Sequence, residues 1–177
     1  MTKRGICAFF FSILAFPTAT LAAPPSQLMG KSVVVNWTET RSQRDGDQTE
    51  WRNVSASHTL SVYVSTAGRA FTRQVNSTKR GSGTLDQVSG QAGNANASFD
   101  GQSMTFIREN RGGARRVVVR FDGSFTSCTA SAGTGFESGK THISVSPITK
   151  KQVEIRSITM GSVSCSVQAG NVLGGGS

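Results

Sequence analysis

The chain has 177 residues, a length that suits one domain with a single hydrophobic core. It carries 19 Lys and Arg residues against 10 Asp and Glu residues, and the resulting formal net charge of +9 favours anionic partners over cationic ones. His58 and His142 are the only histidines, and they are not spaced as metal ligands, which argues against a histidine-based metal centre.

The first residues have the features of a secretory signal peptide, which we assign to residues 1–22. Lys3 and Arg4 precede an apolar stretch at 6–16, and small residues follow where a signal peptidase would cut. An uncleaved membrane anchor is the alternative, but the apolar stretch is shorter than the roughly 20 residues that span a bilayer, and Pro17 interrupts it. We therefore expect a secreted or periplasmic protein without a transmembrane segment after cleavage.

Signal cleavage would change both the charge and the cysteine content. It leaves 17 basic residues against 10 acidic ones, a net charge of +7, and it removes Cys7. Cys128 and Cys165 remain, and two cysteines in an oxidising compartment predict a disulfide, with two free buried thiols as the alternative. In the chain-entropy model such a bridge stabilises the fold by about 3 to 4 kcal/mol.

The mature chain is predicted to be one all-β domain at 31–169, after an extended lead-in at 23–30 and before a flexible tail at 170–177. The first strand, 31–41, alternates Val33, Val35 and Trp37 with polar residues. Further strands outside the central meander are predicted at 50–57, 58–65, 70–76, 141–146, 152–158 and 162–168. Polar or glycine-rich composition predicts loops at 42–49, 77–93 and 132–139, the second with a short strand or turn at 85–88.

Residues 94–131 predict an antiparallel meander because three turn signals occur in a row. Asp100-Gly101 and Asp122-Gly123 favour two-residue hairpin turns, and a looser turn follows Asn110. The register that these turns imply places Ala97 opposite Met104, Phe106 opposite Val117, and Arg108 opposite Arg115. One face then collects apolar residues and is predicted to face the core: Ala95, Ala97, Phe99, Met104, Phe106, Val117, Val119 and Phe121.

The turn at Asp122-Gly123 decides which way Cys128 points. A two-residue loop turns Cys128 inward and leaves Phe125 outside, whereas a three-residue bulged loop does the reverse. The disulfide requires the Cβ vectors of Cys128 and Cys165 to converge, and Cys165 shares its strand face with Val163 and Val167. The two-residue loop is therefore preferred.

Successive hairpins favour a closed or nearly closed β-barrel, because closure removes the edges of a neighbour-to-neighbour sheet. A β-sandwich is the alternative. No paired carboxylates, nucleophile elbow or metal-ligand spacing is present, so we predict a non-enzymatic protein without a cofactor or metal.

Arginines at inward positions suggest a ligand site. Arg73 shares its strand face with apolar residues, as Arg108 does, and Arg115 lies opposite Arg108. Like charges directly opposed across a ladder are destabilising unless they are neutralised, and a buried arginine needs a partner. We therefore predict that Trp37, Phe106 and these arginines bind a small amphiphilic or anionic ligand. The alternative is that the arginines lie at strand ends and extend into water.

A second functional hypothesis places the binding site on the surface. Five basic residues form the predicted cationic surface: Arg111, Arg116, Arg120, Lys150 and Lys151. Such a surface would hold an anionic polysaccharide or a lipid surface. No nucleic-acid-binding motif or aromatic platform is present, so specific nucleic-acid binding is not expected.

Overall fold

The computed structural model describes residues 22–80, 83–92, 96–110, 113–136, 139–145 and 150–174. These residues form ten antiparallel strands after one short 3-10 helix, Ser26–Leu28. The strands are β1 (Lys31–Asp45), β2 (Arg52–Val64), β3 (Ala70–Arg80), β4 (Gly83–Ala92), β5 (Ala97–Asp100), β6 (Ser103–Asn110), β7 (Gly113–Phe121), β8 (Cys128–Thr134), β9 (His142–Val145) and β10 (Gln152–Ala169). In this part of the chain no helix has the length and apolarity needed to cross a membrane. Nearly all of the predicted signal peptide lies outside the described residues.

The strands form two antiparallel sheets. One has six strands in the order β4-β3-β2-β1-β10-β9, and the other has four in the order β5-β6-β7-β8. The all-β prediction is confirmed, but no closed barrel is found among the described strands. Strand β8 lies against β10 without a shared ladder, and the two are joined by the predicted disulfide, Cys128–Cys165, with a Cα–Cα distance of 5.6 Å.

The inward faces of both sheets contribute to one buried hydrophobic cluster. Val33, Val35 and Trp37 supply the β1 side, as the alternation in the sequence predicts. The meander supplies the other side, and its predicted core face is confirmed at every described position; Ala95 lies outside the described residues. The two sheets therefore share one core. Along each strand that lines it, inward apolar side chains alternate with outward polar ones.

The predicted register holds in one hairpin of the meander and shifts in another. Phe106 lies opposite Val117 across β6 and β7, as predicted. Across β5 and β6, however, Ala97 lies opposite Phe106 rather than Met104. The turn residues are Gly101-Gln102 instead of Asp100-Gly101, with Gly101 at a φ of 53°. The register therefore moves by two residues, and an even shift keeps every side chain on its predicted face.

The connection from β7 to β8 is longer than the predicted two-residue turn. Strand β7 ends at Phe121 and β8 begins at Cys128, and Asp122 organises the loop by accepting hydrogen bonds from the backbone N–H groups of Thr126 and Ser127. Phe125 adopts a φ of 55° and is buried, with its ring centroid 5.3 Å from that of Phe121. The prediction that Phe125 lies outside is wrong, because the longer loop lets Phe125 and Cys128 both turn inward.

Several predicted loops are parts of long strands. Strand β1 continues through 42–45, β2 joins 50–57 to 58–65, and β3 with β4 replaces most of the predicted loop at 77–93. The polar side chains of these segments did not prevent strand formation, because the ladder is made by backbone groups. Polar composition along the sequence therefore did not distinguish these strands from loops.

Strand β10 combines two predicted strands into one. Its register with β1 shifts between Trp37 and Glu39, where Gly161 and Ser162 lie opposite Thr38. A Cβ at Gly161 would meet the Thr38 hydroxyl, so glycine suits this close approach. The glycine that separated two predicted strands therefore marks a bulge within a single strand.

Candidate functional site

Two of the predicted ligand-binding residues belong to the core. Trp37 on β1 is 3% exposed and Phe106 on β6 is 4% exposed, and both are members of the shared hydrophobic cluster. Their side chains therefore contribute to the packing between the sheets.

Arg73 lies on the face opposite to the predicted one. On β3 the buried residues are Ala70, Thr72 and Gln74, whereas Arg73 is only partly buried and pairs in the ladder with Ser61. The expectation that Arg73 points toward the core is wrong. Phe71 and Val75, the apolar residues on the same side of the strand, also lie on the outer face. Their apolar character therefore did not indicate the inward face.

Glu39 is the centre of a buried polar cluster between the sheets. It follows Trp37 on the inward face of β1 and is 3% exposed. Nη2 of Arg115, on β7, donates to Oε1 of Glu39 over 3.1 Å, and Arg41 forms an ion pair with the same oxygen. Nε2 of His58 lies 3.2 Å from that oxygen but outside hydrogen-bond geometry. The His58 ring stacks on Trp37, with centroids 4.9 Å apart.

The charges of this cluster keep the Glu39 carboxyl ionised. Burial raises its pKa, but the contact with His58 and the charges of Arg41 and Arg115 outweigh that effect and lower the pKa to about 2. Burial lowers the pKa of the Arg115 guanidinium, and the Glu39 charge opposes this only in part. A carboxylate with so low a pKa is a weak base, which makes Glu39 a poor candidate for proton transfer near neutral pH.

A second set of contacts extends the cluster toward β3 and β6. Nδ1 of His58 lies 2.6 Å from Oδ1 of Asn76, and Nε2 of Gln74 donates to the same oxygen over 2.7 Å. Nη1 of Arg108 donates to Oε1 of Gln74 over 3.3 Å. The two inward arginines of the meander thus contact different strands of the six-stranded sheet. Arg115 contacts Glu39 on β1, and Arg108 contacts Gln74 on β3.

The opposed pair of Arg108 and Arg115 is confirmed, and the structure supplies the negative charge that it needs. Sequence reasoning missed Glu39, Arg41, His58 and the two amides. One signal for Glu39 was present, because it continues the inward alternation of β1 two residues after Trp37.

The geometry of the cluster suits a link between the sheets. The groove beside Glu39 is lined by Trp37, Arg115, Ala132 and Met160, among others, and is too narrow to hold a water molecule. No group of three or more His, Cys, Asp or Glu side chains in the described ranges could hold a metal ion.

The predicted cationic surface divides between the two sheets. Arg116 and Arg120 are exposed on the outer face of β7, and neither forms an ion pair with a residue that the structure describes. Lys150 and Lys151 instead lie just before β10, and Lys151 pairs with Asp47 over 2.7 Å. Arg111 lies outside the described residues.

The ladder neighbours of the two arginines of β7 are uncharged. Arg120 lies opposite Ser103 and Thr129, and Arg116 lies opposite Ile107 and Gly133. Four residues along a strand separate the arginines by about 13 Å. Their guanidinium groups are therefore the main charges over the middle of this sheet face.

No protein-family model, curated protein or solved structure matches this chain significantly. The chain is therefore assigned to no family, and its function must be inferred from its own residues.

Proposed function

We propose that this protein is an exported, non-enzymatic binding protein with a sandwich-like arrangement of two sheets, and that it holds an anionic polysaccharide. The proposed binding surface is the outer face of β5–β8, called the arginine face below. The observation that carries the proposal is the exposure of Arg116 and Arg120 there, without an ion-pair partner among the described residues.

The chemistry of the arginine face fits an extended anionic chain. A guanidinium group can donate two parallel hydrogen bonds to a carboxylate, sulfate or phosphate group. Two such groups about 13 Å apart would engage charges on successive repeats of a polymer. Small-molecule sites are usually concave, whereas an open sheet face offers contact along a chain.

The inward arginines favour the surface over an interior ligand site. Arg115 already donates to Glu39, and the aromatic residues proposed to contact an interior ligand are buried in the core. An internal carboxylate thus takes the place that an anionic ligand would have at Arg115. On the arginine face Asp100 lies in the same row as Arg120 with Ser103 between them, and no ion pair among the described residues joins a carboxylate to Arg116 or Arg120.

A disulfide and the lack of a membrane-spanning helix in the described residues are consistent with an extracellular or periplasmic location. After signal cleavage the chain would carry a net charge of +7, which favours its approach to an acidic polysaccharide.

Retention on a heparin column, measured as the salt concentration at elution, tests the proposal. We expect Arg116→Ser/Arg120→Ser to elute at clearly lower salt than the wild type, because binding depends on these two charges. Lys150→Ser/Lys151→Ser removes the same charge elsewhere and is the matched control. If both variants lowered the elution salt concentration equally, net charge alone would explain the retention and the arginine face would not be the binding site. A wild type that is not retained even at low salt would refute the proposal.

A further inference from the structure

The outer face of the six-stranded sheet has an unusual composition. Across the neighbouring strands β2, β1 and β10, hydroxyl and amide side chains align in rows: Ser164, Asn36 and Thr59 form one row, and Thr159, Thr40 and Ser55 form another. Most of these side chains are exposed. We call these rows the hydroxyl face.

No charged residue occupies an outward position on β1 between Val34 and Thr40, on β2 between Asn53 and Ser61, or on β10 from Ser157 onward. Soluble proteins usually carry roughly a quarter to a third of their surface residues as charged ones. A neutral area of this extent in a basic protein indicates that its partner is not selected by charge.

An aromatic pair adjoins the hydroxyl face. Tyr63 on β2 lies directly opposite Phe71 on β3, and their rings stack with centroids 6.4 Å apart. Both are partly exposed on the outer side, and the Arg69 guanidinium lies over the Phe71 ring at 5.7 Å. The pair lies on the same outer face in a separate row, four residues along β2 from Thr59, and offers an aromatic surface.

We infer that the hydroxyl face, together with Tyr63 and Phe71, binds an uncharged polysaccharide. A sugar ring has an apolar C–H surface, which packs on aromatic rings, and a rim of hydroxyl groups, which both donate and accept hydrogen bonds. Ser, Thr and Asn side chains supply matching donors and acceptors. The hydroxyl rows and the proposed partner are both neutral, so contacts within the rows involve no desolvation of charge. The nearest charges are Arg69, over the Phe71 ring, and Arg73, on the outer face of β3.

The dimensions of the face select a polymer over a single sugar. Neighbouring strands are about 4.8 Å apart, and outward residues of one strand repeat about every 6.7 Å. The rows therefore present hydrogen-bonding groups over several strands and several repeats. The Thr59 hydroxyl already donates to Oδ1 of Asn36 over 2.8 Å, which shows that side chains of adjacent strands meet on this face.

Pull-down on four insoluble neutral polysaccharides tests the inference: microcrystalline cellulose, chitin, curdlan and cross-linked dextran. We expect retention on at least one of them that is unchanged between about 0.1 and 0.5 M NaCl, since charge screening does not affect neutral contacts. Tyr63→Ala/Phe71→Ala should weaken binding about tenfold, the effect of losing aromatic anchors.

Two controls separate this face from the arginine face and from misfolding. Arg116→Ser/Arg120→Ser should retain neutral-polysaccharide binding, and Asn36→Ala/Thr59→Ala should weaken it while preserving the urea midpoint. The inference would be overturned if the protein bound none of the four polymers. It would also be overturned if Arg116→Ser/Arg120→Ser were the only variant to lose binding. A third outcome would also overturn the inference. If no polysaccharide is retained, and the wild type self-associates in sedimentation while Tyr63→Ala/Phe71→Ala does not, the face binds a second copy of the chain.

Discussion

Arg115 on β7 and Glu39 on β1 form a hydrogen-bonded ion pair that joins the two sheets through their shared interior. Nη2 of Arg115 lies 3.1 Å from Oε1 of Glu39, and the Glu39 side chain is 2% exposed. Arg41 is bound to the same carboxylate. Removing the carboxylate would therefore leave two guanidinium groups in the cluster without their negative partner.

Glu39→Gln should destabilise the protein by about 3 to 5 kcal/mol, the usual cost of breaking a buried ion pair by removing one partner. The free energy of unfolding in urea measures this effect. Asp47→Asn is the control, because Asp47 pairs with Lys151 at the surface, where both side chains are 59% exposed. We expect that control to leave the midpoint unchanged. A wild-type midpoint in Glu39→Gln would contradict the proposed link between the sheets.

The lowered pKa of Glu39 predicts that stability falls in acid. The folded value is about 2 against an ordinary 4.5, so the unfolded state takes up a proton first as the pH falls. The contribution of Glu39 is thus fully present above about pH 4.5 and is lost as the pH approaches about 2. The stability difference between wild type and Glu39→Gln, measured in urea at a series of pH values, should shrink across that window.

The comparison with Glu39→Gln is needed because another carboxyl titrates in the same direction. Hydrogen bonds from Ser124 and from the Ser127 and Thr126 backbone lower the pKa of Asp122 as well. Asp122 is intact in both proteins and cancels in the difference. A difference that stays constant from about pH 6 to pH 3 would show that Glu39 is not the group responsible.

Much of the fold followed from the sequence because strand faces depend only on parity. The β5–β6 turn was misplaced, yet the register moved by two residues and Met104 and Phe106 kept their predicted side. Parity could not predict the length of the β7–β8 connection, where Asp122 caps a loop through hydrogen bonds rather than forming a tight turn. Hairpin order within each sheet also does not reveal whether two sheets join, which is why it favoured a closed barrel that is not found among the described strands.

The site was less predictable because its parts come from distant segments. The opposed arginines followed from one hairpin, but Glu39 lies 76 residues from Arg115 and in the other sheet. Periodicity places Glu39 on an inward face without indicating what it meets there. On β3 periodicity did not indicate even the inward face, because the apolar Phe71 lies outward with Arg73 while the polar Thr72 and Gln74 lie inward.

Removing the disulfide should destabilise the protein by about 3 to 4 kcal/mol, as the chain-entropy relation gives for its 37-residue separation. The expected cost is substantial because the bond ties the edge strand β8 to β10, which it does not meet in a ladder. Urea unfolding of Cys128→Ser/Cys165→Ser measures the loss. Dithiothreitol should lower the wild-type midpoint and leave that of the variant unchanged, whereas a wild type insensitive to the reductant would refute a stabilising bridge.

Phe125 should be important for stability although it lies in a connecting loop. It is 5% exposed and contacts Phe121, so Phe125→Ala should cost about 3 to 5 kcal/mol, the range for truncating a buried phenylalanine. Ile107→Ala is the control, because Ile107 is 43% exposed on the outer face of β6 and should change stability little.

The backbone at Phe125 adds a sharper test of its position. A φ of 55° is left-handed, where a residue with a Cβ is strained by about 1 to 2 kcal/mol and glycine is not. Phe125→Gly should therefore be more stable than Phe125→Ala, the reverse of the usual order for these residues in strands. Urea midpoints of the two variants give the answer: if alanine is the better substitute, the left-handed inward loop at 122–127 is wrong, whatever the size of the loss from truncation.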